Sequence, residues 1–248
     1  MVTITIDLVS DPICSWCFIA HRTLLKAVQL YKKTVPNGSM DSFNLTYHPY
    51  YLLDPSKPST NKQEFQDKIM SRQRQKLTYN RIKQIGRFHG INFNFFEGEI
   101  GGTRETHRLI HLAQSRKNLD IRNAVVEGIF KAYHENAMNV SDWEVLKGIA
   151  VQNGIGCEEV DEWGDRDTDL GGDELDREVE RIRSSIFNDD LGIRVQRGVP
   201  VVIVQGKYRI DGAPDVSELL DIFWKIKDGG IVEGGETGFM CEIGSTQC

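Results

Sequence analysis

The chain has 248 residues, five cysteines and a formal net charge of −6. That length can bury a core without covalent staples, and the acidic balance offers no overall basic surface for nucleic acid. No apolar run is long enough to span a bilayer, and the opening residues lack the basic segment and cleavage site of a secretory leader, so a cytoplasmic, thiol-reducing setting without membrane is expected.

In chain order, Thr3 to Val9 (TITIDLV) alternate and are rich in β-branched residues, which predicts a strand. Ser10 to Pro12 form a turn able to start a helix. Phe18, Leu24, Leu25 and Val28 give that helix an apolar face to about Tyr31. Phe43 to Tyr47 read as a second strand, and the proline-rich stretch PYYLLDPSKPST marks a boundary. From about Asn61 to Gln196 the pattern is almost wholly helical. One long basic helix is expected over Lys62 to His89. Further helices are expected over Thr103–Lys117, Ile121–Glu135, Ser141–Asn153 and Asp173–Phe187. Ser141 and Glu144 have capping-box spacing. VPVVIVQGKYRI then predicts two short strands about Gln205-Gly206-Lys207, and Pro214 begins a last helix. The tail is Gly-rich and acidic. The simplest assembly is one sheet drawn from both ends of the chain and interrupted by a helical domain.

Chemistry concentrates at Cys14 and Cys17, two residues apart just after the first strand. A zinc site needs about four ligands. The other candidate pair, Cys241 and Cys248, is widely spaced in the tail. A structural disulfide is disfavoured in a reducing compartment. A redox dithiol fits the position, because a helix start offers free N–H groups and a dipole that favour a thiolate at Cys14. Cys17, one turn on, can resolve a mixed disulfide. Far along the chain, Val199-Pro200 opens an apolar strand where a proline cannot donate to a central ladder, which by itself marks either an ordinary edge strand or special backbone such as a cis bond.

Taken together, these segments resemble a known family. IDLVSDPICSWCFIAHRTLLKAV is similar to the first strand and redox helix of the DsbA-like, FrnE-like thioredoxin-fold proteins. That branch includes 2-hydroxychromene-2-carboxylate isomerases and kappa-class glutathione transferases. YHPYYLLDP resembles the family's second strand, GGTRETHRLIHLA and KAYHENAMNVSDWEVLKGIAVQNGI its helical insertion, and GVPVVIVQGKYRIDGAPDVSELLDIF its cis-Pro strand, hairpin and last helix. The resemblance implies an α/β thioredoxin fold with a large all-helical insertion between the second strand and the cis-Pro strand. The expected division is a discontinuous thioredoxin-like domain (1–55 and 195–228), an insertion (56–194) and a tail (229–248).

The implied activity is thiol–disulfide exchange on a protein or small molecule, with Cys14, Cys17 and Pro200 as the catalytic set. Ser15, Trp16 and Val199 would shape the substrate groove. Phe95, Phe96 and His107 would line the insertion's face of the cleft. No tightly bound cofactor or metal is expected. The alternative is a glutathione-using isomerase or transferase acting on a small aromatic or natural-product substrate, with glutathione as co-substrate. Two departures bear on the choice. Ser15-Trp16 replaces the family's usual Pro-Trp, so no redox potential is carried over. Isomerase and transferase members commonly have Ser where this chain has Cys14, which favours dithiol chemistry. Cys241 and Cys248 are read either as incidental or as auxiliary thiols able to exchange with the dithiol. The oligomeric state is left open.

Three other patterns have plainer readings. His107 and His111 are spaced as a metal pair on one helix but lack a third ligand. Arg72, Arg74, Lys76, Arg81, Lys83 and Arg87 read as a solvated helix face, with a basic patch for an anionic substrate or glutathione as the alternative. Asp165, Asp167, Asp169, Asp173 and Asp176 imitate calcium-loop spacing, but Leu170 stands where that loop needs Gly, so a solvated acidic loop is expected.

Overall fold

The computed structural model describes residues 1–165, 167–186 and 198–229. Strand β1 (Thr3–Ser10) buries Ile4, Ile6 and Leu8 on one face, with Thr3 and Thr5 outward. Helix α1 (Ser15–Thr34) crosses over to β2 (Ser42–Pro49), which runs parallel to β1 with Leu45 opposite Ile6. Parallel neighbours require such a crossover. Strands β5 (Val201–Val204) and β6 (Tyr208–Asp211) complete the sheet antiparallel, in the order β2-β1-β5-β6. Val9 faces Val201 and Ile6 faces Val204, so the sheet is drawn from both ends of the chain.

The β5–β6 hairpin closes through Gln205 (φ 56°) and Gly206 (φ 62°), the two positive-φ positions that this turn type needs. The Gln205 side chain prolongs the pairing beyond Val204. Its Oε1 accepts from the Thr5 amide at 2.8 Å, and its Nε2 donates to the Thr3 carbonyl at 3.2 Å. Helix α9 (Val216–Lys227) packs on α1, where Tyr31, Phe43 and Phe223 meet edge to face.

Between β2 and β5 lies the helical insertion. It comprises α2 (Lys62–Ile69), α3 (Arg72–Phe88), α4 (Arg104–Arg116), α5 (Leu119–His134), α6 (Trp143–Gln152), α7 (Cys157–Gly164) and α8 (Gly172–Ile186). A two-residue ladder, β3 (Thr60–Asn61) against β4 (Glu99–Ile100), ties its first segment down. Helices α4 and α8 lie against β2, and α8 brings Ile182 onto Val9 and Val201 to cover the sheet's second face. Helix α5 is bolted to α1. Phe18 stacks on Phe130 with centroids 5.0 Å apart and planes 3° from parallel. Beside them His21 contacts Glu127 through Nε2 at 3.1 Å and the Tyr47 hydroxyl through Nδ1 at 3.0 Å, and Arg22 donates to Glu127.

The structure corrects several expected elements. The long helix from Lys62 breaks at Met70 (φ −153°) and Ser71, because a buried Gln75 replaces continuous helix there. Its Nε2 donates to the freed Met70 carbonyl and to Asp67, both at 2.9 Å. Helix α6 is capped by Asp142, which accepts from the Glu144 amide at 3.0 Å, in place of the Ser141–Glu144 box. The Ser141 amide is turned instead to Asn139 Oδ1. Helix α7 was not anticipated: only Val160 and Trp163 mark its apolar face, one turn long, and both are fully buried. The expected boundary at 194–195 falls outside the described residues.

Candidate active site

β1 ends at Ser10, and Asp11-Pro12-Ile13 turn the chain into α1. The turn is held from within. The Cys14 amide donates to the Asp11 carbonyl at 2.9 Å. The Asp11 carboxylate, fully buried, accepts from the amides of Ile13 at 3.2 Å and Leu52 at 2.7 Å. Cys14 is therefore the N-cap residue of α1, with extended backbone, and its carbonyl receives the amides of Cys17 and Phe18. The first amides of the helix point back toward its sulfur.

The two thiols are driven apart in acidity. A hydrogen bond from the Cys17 thiol pulls the Cys14 thiol below its usual pKa; burial opposes this, and the amides of Cys17 and Trp16 assist it. Cys17 is 0% exposed, and burial followed by its bond to Cys14 pushes its thiol well up. Asp11 is itself raised to about 7 by burial, against the pull of the Leu52 and Ile13 amides. From the far end of the chain, the Val199-Pro200 peptide is cis, and Cys14 Sγ lies 3.6 Å from the Val199 carbonyl oxygen. Trp16 stands out of the surface at 37% exposure. Sequence-distant β5 and the β1–α1 turn thus meet at one sulfur.

A family model described as a DsbA-like thioredoxin domain matches residues 5–223. The chain belongs to the DsbA-like thioredoxin family. Among solved structures it is similar to a probable DsbA oxidoreductase from Streptomyces coelicolor, with TM-score 0.73 and 19% identity over 94% of this chain and 93% of that one. It is also similar to the cytosolic disulfide reductase DsbM from Pseudomonas aeruginosa, with TM-score 0.56 and 16% identity over 90% and 98%. A 2-hydroxychromene-2-carboxylate isomerase matches with TM-score 0.54 and 13% identity over 91% and 93%. At these identities the likeness is one of fold. No curated protein matches the chain by sequence.

In this DsbA-like protein the insertion reaches the dithiol through α5. His134 Nε2 contacts the Pro12 carbonyl at 3.0 Å, and its ring lies against Phe18 and Phe93. A cavity of about 140 Å³ opens beside Ser15; Ile13, Lys62, Gln66, Phe95 and Tyr133 also line it. Of the three insertion residues singled out by sequence, Phe95 is therefore at this cavity, stacked between Phe93 and Tyr79. Phe96 is turned outward and meets the Tyr79 ring edge to face, beside Lys83. His107 does not line the cavity. It is buried, contacts the Tyr50 carbonyl at 3.1 Å, packs on Tyr51, and is held at about pKa 4 by burial. Cys241 and Cys248 lie outside the described residues.

Asp11, Lys62 and His134 escaped the sequence reading. Asp11 sits three residues before Cys14, the one local signal available. Lys62 and His134 reach the residues that flank the dithiol, Ser15 and Pro12, only through packing. Two of the calcium-like carboxylates, Asp169 and Asp176, are gathered by Arg104 at 2.7 and 3.0 Å. No group of three or more metal-ligating side chains occurs among the described residues. A larger cavity, about 850 Å³, lies between α5 and α6, with Glu127, Lys131 and Glu144 in its wall.

Proposed function

We propose that the protein is a thiol–disulfide oxidoreductase acting through Cys14 and Cys17. One observation carries the reading: Cys14 is the N-cap of α1 and lies 3.6 Å from the carbonyl of the cis Val199-Pro200 peptide, where a hydrogen bond from the fully buried Cys17 thiol, helped by helix amides, lowers its pKa. Cys14 thiolate attacks one sulfur of a substrate disulfide, and the other sulfur leaves as thiolate. Cys17 then loses its proton and attacks the Cys14 sulfur, releasing the second substrate thiol and leaving a Cys14–Cys17 disulfide. Asp11, held near 7, is the buried carboxyl that feels both sulfurs and can take up that proton. In the opposite direction the oxidised pair accepts two electrons from a dithiol. Trp16, Ser15 and Val199 flank the reacting sulfur and shape the approach of the substrate.

We also propose a cytoplasmic setting. The likeness of fold to a cytosolic disulfide reductase supports it, and no helix among the described residues is long and apolar enough to cross a membrane. The test of function is trapping. Cys17→Ser protein is mixed with a disulfide substrate and quenched in acid. A stable adduct on Cys14 is expected, while Cys14→Ser yields none. An adduct mapping to Cys157 instead overturns the assignment.

A further inference from the structure

Lys62 is 2% exposed at the start of α2, yet no carboxylate lies within ion-pair distance of it among the described residues. Its Nζ donates to the Tyr133 carbonyl at 3.2 Å and sits 3.9 Å from the centre of the Tyr133 ring. An ammonium has three donors, and a buried cation without a counter-charge is costly. Two donors are thus left for something else. Lys62 lines the cavity beside Ser15, where it is the sole charged wall residue, because burial keeps His134 neutral down to about pH 3. Gln66, one turn along α2 and 7% exposed, lines the same cavity. Its Nε2 is spent on the Phe95 carbonyl at 2.7 Å, and its Oε1 has no hydrogen-bond partner among the described residues. The remaining wall mixes apolar Ile13, Phe95 and Ile100 with polar Ser15 and Asn94.

We propose that this cavity is a subsite for a carboxylate carried by the substrate next to its reacting sulfur, and that Lys62 selects for it. The orphan Gln66 oxygen would accept from an N–H on the same arm. A volume of about 140 Å³ admits a short arm and excludes a folded protein surface, so the occupant is a small disulfide or an extended tail ending in an acid. This rests on Cys14 being the reactive thiol, as proposed above. Among the described residues, lysine burial at this point has no other charged group to serve. The overall charge of −6 repels anions, so a preference for acidic substrates must arise locally.

The experiment compares two disulfides of one shape, 3,3′-dithiodipropionate and its diamide, in single turnover with pre-reduced full-length protein. The Cys14 sulfur bonds to one substrate sulfur as the substrate S–S bond breaks. Cys17 gives its proton to Asp11, bonds to Cys14, and the second thiolate leaves. The protein dithiol supplies both electrons, so no other reductant enters. Quenched samples are alkylated and read by mass.

The diacid is expected to react about tenfold faster than the diamide. In Lys62→Met, chosen because it keeps the apolar stem, that ratio collapses toward one while the diamide rate holds. A merely structural lysine would change both rates together and leave the ratio intact, which would overturn the proposal. A second measurement needs no variant: butyrate added to wild-type protein slows the diacid reaction, and butyramide does not. Equal effects of the two overturn the subsite. Failure of the oxidoreductase reading looks different, because both disulfides would then react no faster than with free cysteine.

Discussion

His134 Nε2 lies 3.0 Å from the Pro12 carbonyl, so the last turn of α5 holds the loop that delivers Cys14 to its helix. The insertion is thereby part of the dithiol's mounting and not only a cover for it. Replacing His134 with Ala leaves a buried carbonyl unpaired and opens a hole among Phe18, Phe93 and Phe130. A loss of about 2–4 kcal/mol in urea unfolding is expected. Cys14 should also alkylate more slowly at neutral pH, since a loosened turn weakens the amide bonds that favour its thiolate. Unchanged stability and unchanged alkylation together would refute this clamp.

Acid should expose the cost of burying His107. Its folded pKa is about 4, against roughly 6.5 unfolded, so between those values the unfolded chain binds the extra proton. Its contribution is complete above about 6.5 and is lost as pH falls toward 4, to a limit of about 3 kcal/mol. Asp11 and His48 act with the opposite sign. Burial raises Asp11, so its contribution is lost as pH rises through about 7. For His48, burial lowers the pKa, but hydrogen bonds and charge from Asp7 and Glu178 outweigh it and leave a net rise. The clean measurement is therefore the stability of wild type minus that of His107→Gln, followed by urea unfolding from pH 8 to 4. The difference should shrink in the variant's favour as pH falls below 6.5. A difference that stays flat would show that His107 titrates normally.

Asp11→Asn should make Cys14 more acidic. The Asp11 charge raises both thiols, and the Asn side chain keeps the volume. The iodoacetamide rate plotted against pH is expected to shift its midpoint downward. A shift upward would mean that Asp11 supports the thiolate through the turn geometry instead.

Phe18→Ala tests the coupling of α1 to α5. The side chain is fully buried and stacked on Phe130, so a loss of about 3–5 kcal/mol is expected. Leu30→Ala on the same helix, 37% exposed, should cost much less in the same denaturation series.

The alternating β-branched run at Thr3 to Val9, the apolar face of α1 and the VPVVIV strand carried the sheet openly in the sequence. The Cys14–Cys17 spacing and Pro200 marked the corner where the cis peptide meets the two thiols for the same reason: each is a local chemical oddity. What stayed hidden depends on packing between distant segments. Lys62 looked like one more cation in a basic stretch, and only the ring and carbonyl of Tyr133 show that it is buried. Gln75 breaks a helix by hydrogen bonding that no periodicity records. Phe95 and Phe96 are adjacent and alike, yet one stacks on Tyr79 and is buried while the other meets it edge to face and is exposed.

Pairing of Val9 with Val201 also sets a timetable for synthesis. When α1 has left the ribosome, the edge of β1 that will receive β5 still has no partner. At the usual ~5–20 residues per second, the wait for β5 is roughly 10–40 s. Throughout that interval a nascent chain presents two thiols and a bare strand edge, and the carbonyl of Val199 that will stand over Cys14 has not yet been made. Chaperone occupancy on stalled chains should accordingly persist through the whole insertion and fall once β5 emerges.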